Sequence, residues 1–107
     1  MNMTPRRNKY NAKKTVVDGI TFASKAEARR YGELMLLQRA GKIIGLEVHP
    51  TFYLTAGIKY IADFHYVEKK SGKGVAEDVK GVQTAAFRIK AKLFRDQYPD
   101  CELRVVK

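Results

Sequence analysis

Between Tyr60 and Gly81 the chain reads YIADFHY, then a turn rich in glycine and lysine, then AEDVKG. With a two-residue strand period, Asp63 falls inside one apolar run, and Asp78 and Lys80 share one face of the next. Two carboxylates and an ammonium on neighbouring strands suit a divalent cation and a phosphodiester under attack. The carboxylate oxygens hold Mg²⁺, with Mn²⁺ as a substitute. The lysine positions a water or offsets charge developing on phosphate. Isolated acids in strands ordinarily face solvent, but aromatic and β-branched residues flank these. Glu77 adjoins Asp78, and period two puts it on the face opposite Lys80, so Asp78 is the expected ligand.

These residues need elements to position them. Thr15 to Phe22 reads as a short extended piece turning at Asp18-Gly19. Ser24 opens a helix through Ala40 that Gly41 closes. Residues 43–54 read as a strand in which Pro50, lacking a ladder N–H, marks an edge or a bulge. Ala56-Gly57 is a turn, 58–68 a second strand, Lys69 to Gly74 a hairpin loop, and 75–80 a third strand ending at Gly81. A helix over about 84–98 is stopped by Pro99, and Glu102 to Val106 forms a last strand. Short loops make the first three strands an antiparallel meander, and the intervening helix makes the last two parallel. The expected fold class is α/β: a mixed four-stranded sheet, in the order α-β-β-β-α-β, with helices packed on it.

Helical periodicity sorts the remaining charged groups. On the first helix Glu27 lies within about 40° of Tyr31 and Leu34, in the middle of the apolar stripe, while Glu33 falls on the wetter side. A carboxylate aimed at the core needs a cation or hydrogen-bond donors. Glu27 therefore joins Asp63 and Asp78 as a third metal-binding acid. Ser24-Lys-Ala-Glu27 is also a capping box, in which Glu27 reaches back to the Ser24 N–H. On the second helix Phe87, Ala91, Phe94 and Tyr98 form a stripe, with Arg88, Lys92 and Arg95 on the opposite polar face. Lys90 falls between apolar groups, where it either snorkels past them or reaches the metal site or the attacked phosphate. Gln83, two residues beyond Gly81, either reaches the same site or is an ordinary polar residue leading into the helix. His65 shares a strand face with Asp63, as a contact to nucleic acid or water, or as a packed bystander.

Composition narrows the partner. At 107 residues the chain has room for one domain with a modest core. Lys and Arg number 21 against 11 Asp and Glu, a formal net charge of +10 that favours a polyanion. Residues 1–14 carry Arg6, Arg7, Lys13 and Lys14 with little apolar periodicity and read as a flexible basic arm, leaving 15–107 as the domain. No stretch approaches the ~20 apolar residues of a membrane span, so no membrane partner is expected. Cys101 is the only cysteine, which excludes an internal disulfide and a thiolate zinc cluster, and His49 and His65 make no zinc site alone. An intracellular, cytoplasmic protein is expected.

Helical Glu27, strand Asp63 and then Asp78-Val79-Lys80, in that element order, resemble the PD-(D/E)XK nuclease superfamily. FASKAE from Phe22 to Glu27, with YIADFHY and EDVKG, is similar to a family of small phage-encoded proteins within it. The segment also resembles the mismatch-repair and transposition endonucleases that take a glutamate from the first helix. The resemblance covers roughly residues 9–98. It implies a restriction-endonuclease-like core and Mg²⁺-dependent endonucleolytic hydrolysis of DNA, on branched, replicating or recombining phage DNA inside a bacterial host. Asp63 matches the first metal-binding aspartate, Asp78 the variable second acid, Lys80 the lysine and Glu27 the helical acid. Ala62 stands where the motif's proline would be, a frequent departure.

On this reading Glu27, Asp63, Asp78 and Lys80 are catalytic, with the three acids holding metal. Arg6, Arg7, Lys13, Lys14, Arg88, Lys90, Lys92 and Arg95 hold DNA phosphates without reading sequence. A homodimer would let so small a domain engage two strands. The alternative is a non-catalytic nucleic-acid-binding module that keeps the fold. A third reading is an interaction domain whose buried acids pair with Lys80 and Lys90.

Overall fold

Hairpin, helix, meander and crossover follow one another in the computed structural model, which describes residues 13–107. Strands β1 (Thr15–Val17) and β2 (Ile20–Phe22) form an antiparallel ribbon. Asp18 and Gly19 turn it with φ of +53° and +75°, the left-handed pair that a tight hairpin demands. Helix α1 (Lys25–Arg39) starts at Ser24, whose Oγ accepts the Glu27 N–H. It ends on Gly41 at φ +77°, with Gly41 N–H donating to Gln38 O and Lys42 N–H to Leu37 O. Those two bonds make a Schellman cap, which satisfies carbonyls the helix would leave open.

The two strands expected over 43–54 and 58–68 are each broken in two. The first yields β3 (Ile43–Val48) and β4 (Thr51–Tyr53), and the second β5 (Lys59–Ile61) and β6 (Phe64–Glu68). Pro50 supplies no N–H, and His49 before it takes a left-handed φ of +55°. The breaks face each other: His49 N–H donates to Asp63 O at 2.9 Å, and Ala62 N–H to Pro50 O at 3.1 Å. Beyond them β4 and β5 leave the main sheet as a separate antiparallel ribbon, closed by a turn at Thr55–Gly57 in which Ala56 and Gly57 take left-handed φ of +63° and +73°. Period-two reading cannot detect such a corner, because apolar alternation continues through it.

The main sheet has the order β3-β6-β7-β8, where β7 is Gly74–Val79 and β8 is Cys101–Val106. Pairing is antiparallel for β3–β6 and β6–β7 and parallel for β7–β8, with helix α2 (Ala85–Gln97) between the parallel strands. The α/β class and the mixed four-stranded sheet are as expected. A bulge shifts the β3–β6 register between Ile44 and Glu47, where Gly45 has φ +68°.

Two apolar cores lie on the sheet's two faces. Tyr31 and Leu34 of α1 pack with Phe22, Phe64, Tyr66 and Val75 on one. Phe87, Ala91 and Phe94 of α2 pack with Tyr60, Ala76 and Leu103 on the other. The β4–β5 ribbon folds over this second core, with Phe52 and Tyr60 set edge-on to Phe94 at centroid distances of 4.9 and 5.7 Å. No helix among the described residues is long and apolar enough to cross a membrane.

Candidate active site

The β6–β7 ladder ends at the pair Phe64–Glu77. One residue further the strands part, and the Asp63 carboxylate takes over, its Oδ2 accepting the Val79 N–H at 2.7 Å. Asp63 therefore sits in the bend just ahead of β6 rather than inside a strand. Asp78 lies opposite this opening on β7 and is only 1 % exposed. Glu27, 4 % exposed, comes to the same place from the first turn of α1.

Glu27 acts electrostatically on both aspartates. Burial is the main force lifting the Asp63 pKa to about 6; the Val79 amide and Lys80 oppose the rise, and the nearby Glu27 adds to it. Burial likewise lifts Asp78 to about 6, against the attraction of Lys80 and with the repulsion of Glu27. Lys80 Nζ is 3.7 Å from Asp78 Oδ1, too long for a hydrogen bond, and 4.9 Å from the centroid of the Phe87 ring. The Lys80 N–H still donates to Val106 O, which extends the parallel pairing one residue past β7.

Glu27 is placed by more than the expected capping box. Its Oε1 accepts the Ala23 N–H at 3.0 Å, one residue before the Ser24 N–H that the box assigns to it. Its Oε2 lies 2.8 Å from His49 Nε2. The acid thus ties the β2–α1 junction to the corner between β3 and β4. Glu77, by contrast, points to the α1 face, fully buried. Arg30 grips it with Nε at 2.6 Å and Nη2 at 3.0 Å, and the Tyr66 hydroxyl donates to it at 2.6 Å. All of its partners are internal, and it faces away from Lys80.

A profile described as a protein of unknown function (DUF1064) matches residues 7–107. The chain belongs to the DUF1064 family. No curated protein and no solved structure matches it.

In this DUF1064 chain the basic residues singled out by sequence scatter more than the acids do. Lys90 lines a cleft together with Lys80. Arg88 and Lys92 border a different hollow, with Ile89 and Leu93, on the outer side of α2. Lys92 pairs with Asp96 at 3.6 Å, and Arg95 Nη2 donates to Leu103 O at 3.4 Å. Lys13 and Lys14 are exposed ahead of β1. Arg6, Arg7 and most of the basic arm lie outside the described residues. His65 is turned to Glu47, 3.0 Å from its Oε1.

His49 is the member that sequence reasoning missed. Its only signal was its place before Pro50, read as an edge or bulge rather than as a corner carrying a side chain to Glu27. The cleft residues Lys59, Tyr60 and Thr84 were missed as well, because they are near neighbours only in the folded chain.

Among the described residues no three His, Cys, Asp or Glu side chains stand ready-spaced to chelate an ion. The acids are turned to internal partners instead: Val79 N–H for Asp63, Ala23 N–H and His49 for Glu27, and Lys80 for Asp78. One atom has none, since Asp78 Oδ2 is buried without a hydrogen-bond partner. A buried carboxylate oxygen left unpaired, and repelled by the Glu27 carboxylate, is electrostatically costly and fits a hard divalent cation with oxygen ligands.

Proposed function

We propose that this DUF1064 chain is a divalent-metal-dependent endonuclease with a restriction-endonuclease-like core that hydrolyses DNA phosphodiesters. The observation that carries the reading is the orphaned Asp78 Oδ2 near the Lys80 ammonium, with Glu27 within electrostatic reach of both Asp78 and Asp63. Asp63, Asp78 and Glu27 would hold Mg²⁺ or Mn²⁺, which supplies phosphate polarisation and a more acidic bound water. Lys80, held by Asp78 and the Phe87 face, stabilises the negative charge that builds on phosphate oxygens during in-line attack. His49 and the Ala23 amide fix the Glu27 carboxylate, so that its orientation is set before substrate arrives. The formal charge of +10 supports a nucleic-acid partner, with the basic residues at the N-terminus holding backbone phosphates. A two-fold dimer would bring two such sites to two strands.

The competing reading is a binding module without catalysis, which the internal pairing of Asp63 with the Val79 N–H and of Glu27 with the Ala23 N–H and His49 would favour. The full chain incubated with plasmid, four-way-junction and single-stranded DNA separates the two. Cleavage is expected in Mg²⁺ or Mn²⁺ and not in EDTA. Lys80→Ala is expected to lose on the order of 10²-fold in turnover while binding DNA nearly as well. Binding without cleavage, across all substrates and both metals, leaves the module reading. Neither binding nor cleavage removes both.

A further inference from the structure

Beside Lys80 a cleft of about 300 Å³ opens between β5 and the start of α2. Lys59, Lys80 and Lys90 place three ammonium groups on its walls, and Thr84 and Ala86 bring the N-terminus of α2 to it. Neither Lys59 nor Lys90 pairs with a carboxylate among the described residues. Thr84 Oγ1 already accepts the Phe87 N–H, while the first two helical amides, those of Ala85 and Ala86, precede any intrahelical carbonyl they could reach.

One residue lining the cleft, Tyr60, carries an independent sign of a ligand. Tyr60 is 3 % exposed, and its hydroxyl is buried without a hydrogen-bond partner among the described residues. A buried phenol OH forfeits its hydrogen bonds unless a ligand brought within reach accepts one from it. Three cations, a hydroxyl donor and helix N-terminal amides around one concavity match a tetrahedral oxyanion. A neutral ligand would leave Lys59 and Lys90 without counter-charge.

We propose that this cleft binds a second phosphate group of the nucleic acid whose phosphodiester meets Lys80, with Tyr60 as donor and Lys59 and Lys90 as counter-charges. The inference rests on the nuclease reading for its ligand, but it is tested by binding alone. That phosphate is either the adjoining phosphodiester of a continuous strand or the monophosphate at a strand end.

The full chain is titrated in EDTA with labelled single-stranded and duplex DNA over a range of salt. Tyr60→Phe, which keeps the ring's packing, and Lys90→Gln are each expected to weaken binding about 3- to 10-fold. Lys90→Gln should also shallow the slope of log K against log salt by about 0.7–0.9. Inorganic phosphate should shift the Ala85 and Ala86 amide resonances of the wild type and not those of a Lys59→Gln/Lys90→Gln double variant. Tighter binding of 5′- or 3′-phosphorylated strands over hydroxyl-ended ones assigns the site to a terminal phosphate. A loss of affinity from one internal methylphosphonate assigns it to a phosphodiester. Unchanged DNA affinity in Tyr60→Phe and the double variant, with no phosphate-induced shifts, overturns the subsite even if DNA is cleaved. Loss of binding in these variants, with no cleavage by the wild type in any metal, keeps the subsite and removes the nuclease reading.

Discussion

Adjacent acids on β7 face opposite sides of the sheet and have opposite fates. Glu77 is buried with a guanidinium and a phenol that satisfy it, whereas Asp78 has an unpaired oxygen and one distant lysine. Asp78→Asn is accordingly expected to abolish cleavage while DNA binding holds or tightens, because a negative charge facing phosphate is removed. Filter binding and a plasmid-nicking assay on the same preparation check this, and retained nicking would remove Asp78 from the site. Glu77 makes the contrasting prediction. Arg30→Ala strands a fully buried carboxylate and should cost about 3–5 kcal/mol in urea unfolding. Glu77→Gln keeps hydrogen-bonding capacity toward Arg30 and Tyr66 and leaves a partly solvated guanidinium, so it should cost less. Cleavage per folded molecule should survive Glu77→Gln; its loss would shift the catalytic face by one residue.

At the scale of elements, the start of α1 serves two ends at once. Ser24 caps the helix, and Glu27 three residues on ties the preceding turn and the His49 corner to it. Ser24→Ala is expected to lower stability by about 1 kcal/mol with turnover little changed, as for a simple N-cap. Glu27→Gln should differ in kind. Glutamine can still accept the Ala23 N–H and removes the charge that repels both aspartates, so the metal-free melting temperature should hold or rise. Cleavage and any stabilisation by added Mg²⁺ should fall together. Full activity in Glu27→Gln would return this residue to capping alone. The β4–β5 ribbon contributes in another way, since its departure from the sheet at His49 and Ala62 opens the corner that Asp63 occupies.

For the whole molecule, the raised pKa values of Asp63 and Asp78 set a pH dependence with a definite sign. Both ionise near 6 in the folded state and near the ordinary aspartate value of about 3.9 when unfolded. Between those values the folded state binds more protons. Their contribution to stability is therefore fully present below about 4 and is lost as pH rises through about 6. Thermal melts in EDTA should show this loss relative to Asp78→Asn, in which half of it is absent. Added Mg²⁺ competes with those protons, so its stabilisation should grow as pH rises through 6 and fade below. Mg²⁺ stabilisation independent of pH across that window would count against a site made of these two aspartates.

Helix extents, the parallel last strand pair and the face of Asp78 were legible from the sequence, because each follows from local periodicity and terminal signals. Ser24 and Gly41 bound α1, Thr84 and Pro99 bracket α2, and a helical crossover enforces parallel pairing. Glu27's burial was legible for the same reason, since its angle from Tyr31 and Leu34 is a property of the helix alone. Tertiary structure decided the rest. The corner at His49-Pro50 exists because it is bonded to Ala62 and Asp63 across the break, and no local pattern carries that pairing. The Glu27–His49 contact spans 22 positions, and that of Glu77 with Arg30 spans 47. The Tyr60 cleft requires β5 and α2 to meet. Such juxtapositions depend on how packed faces close over one another, which a period of two or of 3.6 residues does not encode.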